Sequence, residues 1–173
     1  MKIVYLHQYF NTPDMVGGTR SYEMARRLVE KGHSVHMITS IQKPANGEAL
    51  WQRTDESGID VHWTPVPYNN SMSYNDRIKA FFAFAWRAAR KATTFSPDVI
   101  FATSTPLTIA LPAVYGAKRA KCPMVFEVRD LWPLVPIEIG ALSTPITKQA
   151  GLQLERCAYR HAKRIVALAP GMG

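Results

Sequence analysis

The chain has 173 residues, of which 47% are hydrophobic and 20% charged, which is the composition of a globular domain able to bury a core and excludes a disordered segment. No apolar run reaches the roughly 18 residues of a bilayer-spanning helix, and the first ten residues lack the apolar core of a signal peptide, so a cytoplasmic location is expected. The net charge of +8, from 21 Lys and Arg against 13 Asp and Glu, favours an anionic partner such as a nucleic acid, an anionic membrane or a phosphorylated small molecule.

Short apolar runs rich in β-branched residues predict strands that are buried on both faces. They cover residues 2–7, 34–39, 59–65, 98–103, 123–128 and 164–169. Helical patterns lie between most of them, at residues 19–33, 75–95, 104–120 and 144–163, and residues 42–58 read as one long loop. Strands that alternate with helices predict right-handed βαβ units and therefore an α/β domain with a parallel sheet.

Two glycines follow the first predicted strand and directly precede a helix. Gly17 and Gly18 allow another molecule to approach the backbone closely, and a helix that begins near Thr19 directs unpaired N–H groups and a positive dipole at it. A phosphate or a carboxylate suits such a place. The segment matches neither the GxGxxG dinucleotide motif nor the P-loop, so the glycines either bind an anion or form a tight connection.

A second polar stretch follows the strand at residues 123–128. The sequence "FEVRDLWP" places Glu127, Arg129, Asp130 and Trp132 at the carboxyl end of that strand, which is the edge where parallel sheets bind ligands. Alternatively, Arg129 and Asp130 pair with each other and Trp132 packs a loop.

The ends of the first and fourth strands offer further candidates. His7 and Gln8 end the first strand and could contact a ligand, although His7 could equally be a buried imidazole. Ser104 and Thr105 follow the fourth strand, where they either cap the next helix or contact a ligand.

The helix predicted at residues 75–95, with Asn75 or Asp76 as its cap, combines aromatic and basic residues. Its apolar side consists of Ile78, Phe81, Phe82, Ala85 and Ala89, broadened by Phe84 and Trp86. Such a helix either packs against the sheet or contacts an anionic lipid surface through Arg87, Arg90 and Lys91.

Three segments in combination resemble a known enzyme family. The segments are "VYLHQYFNTPDMVGGTRSYEMARRLVEKGHSVHMIT", "FEVRDLWP" and "LERCAYRHAKRIVALAPGM". They resemble the amino-terminal domain of retaining glycosyltransferases of family 4, and among these the bacterial enzymes, some labelled fucosaminyl transferases, that build O-antigen or capsule repeats. The resemblance implies a doubly wound, Rossmann-like fold that is the amino-terminal half of a GT-B enzyme. Residues 1–173 would be the acceptor-side domain, and the donor-binding carboxyl-terminal domain would be absent from this chain, which alone should be inactive.

The resemblance also implies roles for individual residues. Gly17, Gly18 and Thr19 would approach the donor diphosphate. Arg129 and Asp130 occupy the catalytic motif, although many relatives have a His before the Asp; Arg cannot act as a base at neutral pH, but it can hold a phosphate or a sugar hydroxyl. Retention in this family is usually explained by front-face attack in which the leaving diphosphate helps to remove the acceptor proton, so no protein nucleophile is expected.

Acceptor contacts and partners complete the expectation. We assign the acceptor to His7, Gln8, Ser104 and Trp132. The expected partners are a UDP- or GDP-linked sugar, a lipid-linked saccharide acceptor and the anionic inner face of the cell membrane, without nucleic acid. No cofactor or metal is expected, since Cys122 and Cys157 lack metal-ligand spacing and read as reduced thiols.

Two other classes of function remain open. A nucleotide-sugar epimerase of similar fold would use the same donors without a lipid. A non-catalytic module that binds nucleotides or nucleic acid is suggested only by the charge of +8, because the chain lacks the interleaved aromatic and basic platforms of single-strand binders.

Overall fold

The computed structural model of the protein describes residues 1–44, 47, 49–69, 71–138, 140 and 142–168, which form a seven-stranded sheet with helices on both faces. The strands are β1 (Lys2–Leu6), β2 (Ser34–Ile41), β3 (Gln52–Glu56), β4 (Ile59–Pro65), β5 (Val99–Thr103), β6 (Met124–Val128) and β7 (Ala162–Ala167). The helices are α1 (Arg20–Glu30), α2 (Tyr74–Ala92), α3 (Ala110–Ala120), α4 (Leu134–Glu138) and α5 (Pro145–His161), and a short 3₁₀ helix (Leu107–Ile109) precedes α3.

The order of the strands across the sheet is β3-β4-β2-β1-β5-β6-β7. Every neighbouring pair is parallel except β3 and β4. The chain builds outward from β1 on one side and then returns to add β5 on the other side, which makes the space beyond β1 and β5 a topological switch point. The predicted Rossmann-like α/β fold with a mainly parallel sheet is confirmed.

The alternation of side chains along β1 shows how the two faces of the sheet are covered. Ile3 and Tyr5 belong to the core on the face that α1 covers, whereas Val4 and Leu6 belong to the core beneath α2, α3 and α5. Strands whose residues are buried on both faces read as continuous apolar runs, which is why most of them could be recognised in the sequence.

The predicted long loop at residues 42–58 is wrong in its second half. Residues 52–56 form β3, which pairs antiparallel with β4 through a turn at Ser57 and Gly58, both with positive φ. The sequence QRTDE has no fully buried residue, so the edge strand is held by its ladder and carries no apolar signal. Residues 45, 46 and 48 of that loop lie outside the described residues.

Several predicted boundaries also differ. Ser73 caps α2, accepting a hydrogen bond from the Asp76 N–H at 3.2 Å, so neither Asn75 nor Asp76 is the cap. Neither Ser104 nor Thr105 caps a helix, because the chain turns through the 3₁₀ helix before α3 begins. The last strand begins at residue 162, and residue 169 of its predicted range lies outside the described residues.

Candidate active site

A cleft of about 360 Å³ opens at the carboxyl edge of the sheet, at the switch point between β1 and β5. The segments that follow β1, β5, β6 and β7 provide its lining, which consists of His7, Tyr9, Asn11, Gly18, Thr105, Arg129, Asp130 and Leu168. Five of the residues singled out in the sequence therefore come together here: His7, Gly18, Thr105, Arg129 and Asp130.

The two glycines differ in what the surrounding protein requires of them. Gly17 has φ of 141°, and a Cβ there would lie 2.4 Å from Nδ2 of Asn11. A side chain at Gly17 is therefore strained by the backbone conformation and would also require Asn11 to move. At Gly18, by contrast, no atom of the described residues lies within 4 Å of a Cβ built on the backbone. A tight connection explains Gly17, whereas the space beside Gly18 is open to a ligand.

Helix α1 begins two residues after Gly18. Thr19 is its N-cap residue, and the Thr19 side chain makes no capping hydrogen bond, while its carbonyl accepts from the Glu23 N–H at 2.9 Å. The first-turn N–H groups and the positive end of the helix dipole therefore lie at the same edge of the sheet as the cleft. This is the environment that attracts phosphate and carboxylate groups.

An ion pair between half-exposed Arg20 and buried Glu127 connects the start of α1 to the sheet. Glu127 is fully buried, and its Oε1 accepts hydrogen bonds from Nε and Nη2 of Arg20 at 3.1 and 2.8 Å. Its Oε2 accepts from the Thr103 hydroxyl at 2.8 Å. Burial, reinforced by the charge of Glu127, raises the pKa of Tyr5 to about 12. Glu127 therefore supports the glycine turn from within the core.

Arg129 and His7 lie together in the cleft. Nη1 of Arg129 is 3.5 Å from Nε2 of His7, and the Arg129 N–H donates to Oγ of Ser104 at 2.9 Å. Burial and then the guanidinium charge lower the pKa of His7 to about 3, so the imidazole is neutral at physiological pH. His7 is thus both a buried imidazole and a cleft residue.

Asp130 has its partner on a different strand end. The Thr105 hydroxyl donates to Oδ2 of Asp130 at 2.5 Å, and Thr105 has φ of 130°, a region that β-branched residues rarely adopt. Among the described residues no ion pair joins Arg129 to Asp130, so the alternative in which these two neutralise each other is wrong. The cleft therefore holds a cation and an anion that are positioned separately.

The remaining candidates lie outside the cleft lining. Gln8 and Ser104 are each 1% exposed, and neither side-chain amide atom of Gln8 has a hydrogen-bond partner among the described residues. Trp132 is partly buried and packs against the core.

Tyr9, Asn11 and Leu168 line the cleft but were missed in the sequence. The connection from β1 to α1, residues 7–19, is longer than most connections of this kind, and that length was a usable signal for Tyr9 and Asn11. Leu168 directly follows β7 and carried no signal of its own.

The three basic residues assigned to a membrane do not form one free patch. Arg87 is turned inward, donating to Oγ1 of Thr64 at 3.2 Å and to the carbonyl of Pro65 at 2.6 Å. Nζ of Lys91 lies 5.3 Å from the ring centroid of Trp51. Arg90 is exposed on α2. None of the described helices combines the length and apolar character needed to cross a bilayer.

Sequence comparison places these observations in a family. Residues 17–173 match the family model described as a glycosyl transferase 4-like domain. The chain belongs to this family. No curated protein matches the chain in sequence. The family relation supports a glycosyltransferase domain, and the fold matches GT-B glycosyltransferase domains.

Solved structures share the fold of this glycosyl transferase 4-like domain at low identity. Sucrose-phosphate synthase from Thermosynechococcus elongatus matches with a TM-score of 0.65 and 10% identity, covering 99% of this chain and 43% of that one. The E. coli trehalose-6-phosphate protein bound with UDP-2-fluoro glucose matches with a TM-score of 0.56 and 12% identity, covering 89% of this chain and 38% of that one. The catalytic domain of starch synthase IV from Arabidopsis thaliana, bound to ADP and acarbose, matches with a TM-score of 0.54 and 17% identity, covering 74% of this chain and 34% of that one. The chain thus spans less than half of each.

Proposed function

We propose that the chain is the acceptor-side domain of a retaining glycosyltransferase that transfers a sugar from a nucleotide-sugar to a lipid-linked saccharide in bacterial surface polysaccharide synthesis. The observation that carries the proposal is the open space beside Gly18, bordered by the start of α1 and by Arg129. That place suits a diphosphate. The family relation and the nucleotide ligands of two structural neighbours, UDP-2-fluoro glucose and ADP, support a nucleotide-sugar donor.

Each charged group of the cleft has a proposed task. Gly18, Thr19 and the first turn of α1 approach the donor diphosphate, because backbone N–H groups and the helix dipole favour negative charge. The Arg129 guanidinium donates to a phosphate or sugar oxygen and remains charged throughout. Asp130, held by Thr105, accepts a hydrogen bond from a sugar hydroxyl. The leaving diphosphate takes the acceptor proton, so the reaction as proposed requires neither a protein nucleophile nor a metal.

The acceptor-side residues fall into two groups. His7 faces the cleft as a neutral imidazole that can exchange hydrogen bonds with a sugar hydroxyl. Ser104 acts indirectly, because its hydroxyl holds the Arg129 backbone. Gln8 and Trp132 are assigned to the acceptor only as support for the cleft wall, since they are buried or packed against the core.

We propose that a further domain outside this chain binds the base and ribose of the donor. The cleft of about 360 Å³ is open, and the structural neighbours are more than twice as long as the portion that this chain matches. The chain alone should therefore bind UDP- and GDP-sugars no more tightly than about millimolar, equivalent to about −4 kcal/mol. Calorimetry that gives micromolar binding to the chain alone would contradict this division of the donor site.

An aromatic groove between α2 and α3 supports peripheral attachment to the inner face of the cell membrane. Phe82 and Trp86 are 53% and 67% exposed, and Leu111 and Tyr115 of α3 line the same groove with Arg90. Exposed aromatic rings beside cations favour an anionic lipid interface.

Vesicle co-sedimentation tests the membrane contact with variants that the structure selects. The Trp86→Ala/Arg90→Glu double variant should lose binding to anionic vesicles. Arg27→Glu on α1, which makes a matched charge change on the opposite face of the sheet, should not. Equal binding of wild type and the double variant would contradict the proposed membrane surface.

A transfer assay tests the function itself. The chain is expressed together with any carboxyl-terminal sequence that its gene encodes, and is incubated with labelled UDP- and GDP-sugars and a bacterial lipid extract. We expect label in the lipid-linked saccharide, with the anomeric configuration of the donor. A changed sugar nucleotide without transfer to lipid would instead favour the epimerase alternative.

A further inference from the structure

A second cluster of polar side chains lies at the amino edge of the sheet, opposite the cleft. His36 on β2 is paired in register with Asp60 on β4, and His62 follows two residues later. Residues two apart on a strand point to the same face, so both imidazoles and the carboxylate share one face. These positions lie near the starts of their strands, at Ser34 and Ile59, and the proposed sugar transfer does not use them.

The three side chains converge on one point. Nδ1 of His36 is 2.8 Å from Oδ2 of Asp60, and Nε2 of His62 is 3.1 Å from the same oxygen. The three potential ligand atoms all lie within 4.8 Å of one another. Zinc bonds to nitrogen and oxygen are about 2.0–2.2 Å long, so tetrahedral geometry separates neighbouring ligand atoms by roughly 3.3 Å. Small side-chain rotations therefore suffice to admit an ion.

His62 is available as a ligand. Its side chain is 6% exposed, and the contact of Nε2 with Asp60 is close but not aligned as a hydrogen bond, leaving a buried ring nitrogen without such a bond among the described residues. A buried polar atom left without a hydrogen bond calls for a physical reason.

The surroundings of His36 resemble the outer support of a metal ligand. Its Nε2 is 3.4 Å from Oγ of Ser34, and the Phe95 ring stacks on the imidazole with centroids 4.4 Å apart. A hydroxyl on the far nitrogen can hold that nitrogen protonated and direct Nδ1 toward an ion. The ring of Phe95 covers the cluster and restricts water.

We propose that His36, Asp60 and His62 form a binding site for a divalent transition metal of the zinc class, with water as the fourth ligand. Two imidazoles and one carboxylate suit Zn²⁺ and Co²⁺ and are poorly matched to Mg²⁺ or Ca²⁺, which prefer oxygen ligands. The ion replaces the contacts of both rings with Asp60, and each ring carries its proton on the other nitrogen. The metal would join β2 to β4 beside the edge strand β3.

Arg53 competes with the ion for the carboxylate. Nε of Arg53 lies 2.5 Å from Oδ1 of Asp60, but its side chain is 72% exposed and can move into solvent. Nζ of Lys91 lies 5.4 Å from the Phe95 ring centroid and adds positive charge near the cluster. The cations predict moderate affinity, and removing Arg53 should tighten metal binding.

Metal titration of the purified, chelator-treated protein tests the site. Calorimetry with Zn²⁺ should show one ion bound, and Co²⁺ should give the visible absorption of a nitrogen- and oxygen-ligated ion. His62→Gln should weaken Zn²⁺ binding by about 100-fold. Loss of a residue that only supports a metal ligand costs about 10–100-fold, and loss of a direct ligand should cost at least as much as the upper value. Zn²⁺ should raise the melting temperature of wild type but not of His62→Gln.

His161→Gln is the matched control, because His161 Nδ1 lies 3.7 Å from Sγ of Cys157 and offers the other plausible zinc contact. Wild-type affinity in His161→Gln, together with severalfold tighter binding in the surface variant Arg53→Ala, supports the proposal. It is overturned by binding that survives in His62→Gln but is lost in His161→Gln. Absence of Zn²⁺ binding in both wild type and Arg53→Ala also overturns it.

Discussion

The carboxyl and amino edges of the sheet contain similar polar residue types, but the contacts of these residues differ between the two edges. At the carboxyl edge, Arg129 and Asp130 are adjacent in sequence but take separate partners and face an open cleft. At the amino edge, Arg53 and two histidines all turn toward Asp60. Loops present the groups at the first edge, whereas strand pairing holds most of them in register at the second. The loop residues border an open cleft, whereas the residues on paired strands contact one another through the Asp60 carboxylate.

The largest effect is expected beneath the cleft, at the ion pair between Arg20 and Glu127. Arg20→Met should destabilise the fold by about 3–5 kcal/mol, because it leaves the Glu127 carboxylate buried without its cation. The double variant Arg20→Met/Glu127→Gln should recover a large part of that loss in urea denaturation. Additive losses would show that the pair does not connect α1 to the sheet.

Variants at Gly17 and Gly18 should have different effects, one on folding and the other on ligand binding. In the longer enzyme proposed above, Gly18→Val should reduce turnover by about 100-fold, equivalent to about 2.7 kcal/mol, with little change in melting temperature. Gly17→Val should lower the melting temperature, because of the positive φ and the 2.4 Å approach to Asn11. Near-normal turnover in Gly18→Val would assign both glycines to the turn alone.

These two edges also show what could be predicted from sequence. The parallel strands and the glycine turn were recognisable because buried apolar runs and glycines are local signals. The roles of Gly17 and Gly18 could not be separated, because Asn11 distinguishes them only in three dimensions. Edge strand β3 was missed because its residues are polar, and the cluster at Asp60 was invisible because residues 36 and 60 meet only through strand register.

Acid should reveal the buried imidazole of the cleft. The pKa of His7 is about 3 in the folded chain and 6.5 unfolded, so below pH 6.5 the unfolded chain binds the extra proton and stability falls with pH. At about 1.4 kcal/mol per pH unit, wild type should lose about 2 kcal/mol more than His7→Gln between pH 7 and pH 5. The free energy of unfolding is measured by denaturant titration at each pH. An equal decrease of this free energy with falling pH in wild type and His7→Gln would contradict a buried, neutral His7.

The smallest effect is expected at the amino edge in metal-free buffer. Asp60→Asn should cost about 1 kcal/mol at pH 7, because Arg53 is solvent-exposed. Burial opposes ionisation of Asp60, but hydrogen bonds from Arg53 and His36 outweigh it and lower the pKa of Asp60, so the contribution of this carboxylate is lost as pH falls through that lowered pKa. Wild type and variant should therefore converge in strong acid, and a difference independent of pH would point to packing instead.

The most direct measurement is an NMR titration of the backbone amides of the ¹⁵N-labelled chain with pyrophosphate and with UDP, each to about 10 mM, above the millimolar affinity expected of the chain alone. We expect progressive shifts of the Gly18, Thr19 and Arg129 amides, and none at His36 or Asp60. The same additions to the Gly18→Val variant should leave the amide resonances of residue 18 and Thr19 unchanged. Unshifted Gly18 and Thr19 amides in wild type, or larger shifts at the amino edge than in the cleft, would contradict an anion site at the glycine turn.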